Sequence, residues 1–183
     1  MNIRKSIGWI GTAVLVLGGF AGAVTMRAAD KPDSEEVSKL LSEARNMAFQ
    51  LKDDADTMQT FTGMKVSWAT HRDAMTLIKE HVNAFAQQVN KLKAARQDAS
   101  PWQRTVIDRI DPFMDELNAY SEAVIEHLNK HPERLNTPEY HEYLNANADF
   151  AADMATMIAD FVDYGRTKER LENLTYKLEV PAR

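Results

Sequence analysis

The chain has 183 residues, enough for one domain with a real core, and carries 27 acidic residues against 22 basic ones for a formal net charge of -5. It has no cysteine, which excludes disulfide scaffolds, thiolate zinc sites, iron–sulfur clusters and covalent haem attachment. The acidic balance repels phosphate backbones, and the basic residues are scattered along the sequence, so neither nucleic acid nor a lipid-headgroup patch is expected.

Residues 1–29 read as an address. Arg4 and Lys5 form a short positive region, and an uncharged apolar run follows over 7–26. Ala21-Gly22-Ala23 has the small-x-small form of a signal-peptidase site, while the run is also close to the ~20 residues that span a bilayer. A cleaved signal peptide and an uncleaved membrane anchor both fit. Either places the remaining domain, 30–183, outside the cytoplasm, in the periplasm or beyond, with the membrane touched only through the N-terminal segment.

Four helices are then expected. The first runs over about 34–61, with Asp33 as N-cap and Glu36 closing a capping box. Its stripe is Val37, Leu41, Ala44, Ala48, Leu51, Ala55 and Met58, widened by Leu40, Met47 and Phe61, and Gly63 is the expected left-handed stop. The second, over about 67–96, has the most regular seam: Trp68, Met75, Val82 and Val89 alternate with His71, Ile78, Phe85 and Leu92. His71 stands where an aliphatic residue belongs.

The third helix, about 101–131, opens on Ser100 as cap, Pro101 at the first position and Gln103 as capping-box partner. Its stripe is Val106, Ile107, Ile110, Phe113, Met114, Leu117, Tyr120, Val124 and Leu128, and Pro112 falls inside it and predicts a kink. The fourth, about 138–178, repeats the cap-proline start with Thr137-Pro138. Its stripe runs from Tyr140 to Val162, and Asp149, Asp153, Asp160 and Asp163 form a solvated opposite face. Beyond Gly165, Leu171, Leu174 and Leu178 fall out of phase, so the helix bends there or its tail packs on another neighbour.

Short links between four amphipathic helices predict an all-α, up-down-up-down antiparallel four-helix bundle. That topology brings the end of the first helix, the start of the second, the end of the third and the start of the fourth to one pole. His71, His127, His131 and His141 gather there, with Met58 and Met64 nearby. Imidazoles and a thioether are ligands for haem iron or copper, so His71, His127, His131, His141 and Met58 are the candidate ligands. The spacing argues for a structural histidine at 71 instead. There is no Glu-x-x-His, no His-Glu-x-x-His and no glycine-rich phosphate loop, and no nucleophile is placed beside an oriented base. No cofactor and no enzymatic activity are therefore expected. Trp102 marks the other pole, with Arg96, Gln103 and Arg104.

SPWQ at 100–103, IEHLN at 125–129, TPEYHEYL at 137–144 and FVDYG at 161–165 together resemble an uncharacterised group of small exported bacterial four-helix proteins. The resemblance spans about 67–178. It rests on caps and core positions, and it implies export and the bundle fold without an activity. The architecture is also similar to the four-helix ligand-sensing domains of bacterial receptors; a chain ending at Arg183 would sense only through a partner. The expected role is an interaction or small binding module of the envelope, with a protein partner or a second copy as the occupant.

Overall fold

The first helix, α1 (Glu35–Gln59), begins at Ser34, whose Oγ accepts the Val37 N–H at 3.3 Å. The expected cap at Asp33 thus moves on by one residue, because the Asp33 carboxylate is taken by Trp102 and Lys168. In the computed structural model, residues 31–178 are described; the apolar run at 7–26 and the candidate cleavage site lie outside the described residues. The seven stripe residues from Val37 to Met58 are all buried, and the flanking Leu40 and Met47 are half-buried. Its end departs from expectation: the last turn tightens into a 3-10 turn, Thr60–Gly63, where Thr60 and Thr62 hydroxyls donate to the carbonyls of Thr57 and Gln59. Gly63 stays out of the left-handed region, so side-chain hydrogen bonds, and not a glycine, close the helix.

Helix α2 (Trp68–Ala95) starts at Ser67, which accepts the Thr70 N–H. His71, Met75, Ile78, Val82, Phe85, Val89 and Leu92 of the predicted seam are buried, and Trp68 is half-buried. Helix α3 (Pro101–Lys130) follows a short 3-10 turn, and Gln103 Oε1 accepts the Ser100 N–H at 2.9 Å. The helix continues through Pro112, whose ring is exposed. Helix α4 (Pro138–Lys177) starts from Thr137 and also continues unbroken, past Gly165.

All four helices pack together, and no strand occurs among the described residues. The α1–α4 contact is the most extensive, followed by α1–α2 and α3–α4, with α2–α3 the loosest. Small residues suit close packing of α1 and α4. Ala44, Ala48 and Ala55 on α1, with Ala148, Ala151 and Ala155 on α4, are all buried and let two backbones approach closely. Removing these stripes from water stabilises the fold by about 25 cal/mol per Å² of apolar surface.

Individual contacts fix which ends meet. Lys31 Nζ donates to Gln97 O, joining the start of α1 to the end of α2. Gln59 Nε2 donates to Asn145 Oδ1, joining the end of α1 to the start of α4. Trp68 Nε1 donates to Leu128 O, joining the start of α2 to the end of α3. Two polar side chains inside the core are partnered: Gln88 donates to Leu40 O, and Ser121 donates to Asn147 Oδ1.

Candidate functional site

The two poles differ in what their side chains have left to offer. At the histidine pole the hub is Tyr140, in the first turn of α4, and it is fully buried. Its hydroxyl is hydrogen-bonded to His71 Nδ1 at 2.9 Å, and its ring stacks on His127 at 4.6 Å between centroids. Phe61 meets His71 edge-on, and His131 meets His127 in the same way. His127 Nε2–H donates to the Arg134 carbonyl at 3.0 Å, which ties the end of α3 to the loop before α4.

Burial pushes the His71 imidazole below its ordinary pKa, and the nearby His141 pushes it the same way. Burial also pushes the Tyr140 phenol well above its ordinary range, so it remains a neutral hydroxyl. The fold therefore brings His71 and His127 together through Tyr140, with His131 beside them, and it engages them in hydrogen bonds and ring contacts with protein groups. His141 is half-buried, with its Nε2 buried and without a protein partner. Met58 is a core residue, whereas Met64 is exposed. His81, further along α2, pairs with Asp54 and Gln50. Among the described residues no three His, Cys, Asp or Glu side chains are grouped to hold a metal ion. Each of His71 and His127 uses one ring nitrogen in these hydrogen bonds.

Toward the other pole, α3 and α4 leave a groove of about 590 Å³. Its apolar lining is Trp102, Phe113, Met157, Phe161 and Tyr164, and Arg109, Asp153, Thr156 and Asp160 complete it. Trp102 is held rigidly. Its Nε1–H donates to Asp33 Oδ1 at 2.7 Å, its ring meets Tyr164 edge-on at 5.6 Å, and it lies against Gly165. Asp33 Oδ2 accepts from Lys168 at 2.9 Å. Burial pushes the Asp33 carboxyl up, but hydrogen bonds from Lys168 and Trp102 outweigh it and hold it below its ordinary pKa. The Arg109 guanidinium lies 5.8 Å from the Phe161 ring centre. A fixed aromatic wall with a few charged groups at its edge is the usual form of a small-ligand or side-chain cleft.

The groove was not predicted. Phe113 and Phe161 sit on the sequence stripes and read as core, yet both are half-buried and line the cleft. Trp102 and FVDYG were noticed separately, and nothing in their spacing says that the indole would rest on the glycine. Compared with family models, curated proteins and solved structures, the chain matches none.

Proposed function

We propose that the chain is a non-enzymatic protein of the bacterial envelope, exported through residues 1–29, whose up-down-up-down antiparallel bundle acts as an interaction or small binding module through the α3–α4 groove. The end-to-end contacts of Lys31 with Gln97, Gln59 with Asn145 and Trp68 with Leu128 support that topology. The observation that carries the functional reading is the contrast between the poles. The histidine cluster is turned inward and hydrogen-bonded to its own chain, whereas the Trp102–Tyr164 wall is rigid, aromatic and open. Rigid aromatic side chains in a cleft bind with little loss of conformational entropy.

The test is photo-crosslinking in the native cell, with the photoreactive residue at Tyr164 in the groove or at Thr76 on the exposed face of α2. A discrete adduct from Tyr164, absent from Thr76 and lost in Trp102→Ala, is expected. Adducts of twice the chain's mass would identify a second copy as the occupant. Equal, diffuse labelling at both positions would sink the reading. N-terminal sequencing separates a cleaved signal, starting at Val24, from an anchor retaining Met1. A Soret band or stoichiometric metal in protein from native envelopes would shift the assignment to the histidine pole.

A further inference from the structure

We propose that the end of α4, residues 164–178, is a membrane contact in its own right: an amphipathic face for anionic lipid headgroups and the acyl boundary beneath them. It goes beyond the groove and uses, for its geometry, the reading of residues 7–26 as a membrane segment. Leu171, Leu174 and Leu178 are 64%, 44% and 66% exposed on a helix whose earlier stripe is buried except for the half-buried Phe161. Apart from Met64 and Leu77, every exposed large apolar residue among the described ones lies in this segment. Tyr164, Leu171, Leu174 and Leu178 share one face as a patch, whereas Tyr176 lies on the opposite face.

The charges are arranged around it. At about 100° per residue, Tyr164, Thr167, Leu171, Leu174 and Leu178 form one stripe. Arg170 and Lys177 border it on one side and Lys168 on the other; Arg166 and Glu172 lie further round, equally far from its centre, and Glu169 is opposite. Arg166 touches Asp163, and Lys168 touches Asp33 and, at 3.7 Å, Glu172; Arg170 and Lys177 have no ion-pair partner among the described residues. An apolar stripe whose nearest charged neighbours within the segment are cations is the form that lies in a headgroup layer. A second copy fits less well, since two such stripes face to face would set their cationic borders against each other. The sequence alone scatters its basic residues; the fold gathers Arg96 and Arg104 to the same pole as this tail.

Reach supports the same occupant. Asp33 is fixed to Lys168, so the chain enters the bundle beside the tail. The residues between 26 and Asp33 span at most about 24 Å when extended. The tail from Lys168 to Leu178 is about 15 Å long. A retained membrane segment therefore holds the tail within reach of the headgroups, and Trp102 and Tyr164 stand at the level where interfacial aromatics are favoured.

The absence of cysteine allows a single nitroxide label on the full chain. Leu171→Cys, Leu174→Cys, Asn173→Cys and Val16→Cys would each be labelled and reconstituted into vesicles of phosphatidylcholine with phosphatidylglycerol, or of phosphatidylcholine alone. With phosphatidylglycerol, labels at 171 and 174 should be exposed to lipid-dissolved oxygen and shielded from an aqueous nickel chelate. The label at 173 should remain aqueous, and the pattern should weaken in high salt or without the anionic lipid. Aqueous exposure at 171 and 174 overturns the proposal. So does shielding from both reagents, which would mean a protein neighbour. The Val16 label reports the membrane segment separately. If Val16 alone reads aqueous, the anchor reading fails and the tail contact stands; if Val16 alone reads lipid, the reverse holds.

Discussion

The indole of Trp102 lies so close to Gly165 that a Cβ there would stand 2.7 Å from its Cη2. Gly165 is therefore in α4 to admit the tryptophan, not to bend the helix. Two effects oppose each other in Gly165→Ala. Helix propensity favours alanine by about 1 kcal/mol. Overpacking costs about 1–3 kcal/mol, and Trp102 cannot easily yield because Asp33 and Tyr164 hold it. Gly165→Ala should lower the melting temperature in the natural chain and raise it in a Trp102→Ala background. The same sign in both backgrounds, measured by thermal unfolding, would show that the contact does not matter.

Gln103 clasps the start of α1 from the start of α3. Its Oε1 accepts from the Ser34 and Ser100 N–H groups, and its Nε2 donates to Ser34 O and Ser38 Oγ, all within 3.0 Å. Gln103→Leu keeps the bulk and leaves two backbone N–H groups without partners. A loss of about 2–4 kcal/mol is expected from urea unfolding, since each orphaned buried group costs about 1–3 kcal/mol. Gln103→Glu, which retains the acceptor side, should lose less. Equal losses would mean that only the side chain's volume counts.

The α1–α4 contact is the most extensive and relies on alanines, so it should resist enlargement. Ala48→Leu or Ala151→Leu, both at fully or nearly fully buried positions, should destabilise by about 1–3 kcal/mol or more. Ala119→Leu, on the exposed face of α3, should change little. If enlargement at Ala151 were as harmless as at Ala119, denaturant midpoints would show it, and close approach of α1 and α4 could not be what orders the bundle.

The four helices were readable because their stripes repeat every three and four residues, and the stripe residues of α1 and α2 are buried except for the half-buried Leu40, Met47 and Trp68. Local chemistry was readable for the same reason: Ser100, Pro101 and Gln103 act within one turn of chain. What spacing cannot reveal is a partner far along the sequence. Asp33 has the right chemistry for a cap, yet Trp102 and Lys168 claim it and Ser34 caps instead. The groove has the same origin. A half-buried Phe161 and a fully buried Ile158 look alike in the pattern, and only the packing of α3 against α4 separates them.

His71 should make stability depend on pH. Its folded pKa lies below the ordinary 6.5 because of burial first and His141 second. Below pH 6.5 the unfolded chain therefore binds a proton at this residue that the folded chain resists. The stability from burying a neutral imidazole is present in full above that pH and is lost as pH falls through it toward the folded value. The groups around it are Tyr140 from α4, bonded to its Nδ1, Phe61 from the turn after α1, and His141. His71→Leu alone leaves the buried Tyr140 hydroxyl without its partner, a cost of about 1–3 kcal/mol. The pair His71→Leu with Tyr140→Phe removes both polar ends. It should sit near the natural stability at neutral pH and lose less of it on acidification. Urea titrations at pH values on either side of 6.5 measure that slope. An unchanged slope in the double variant would mean that other groups set the acid response and that His71 is a neutral spacer in the core.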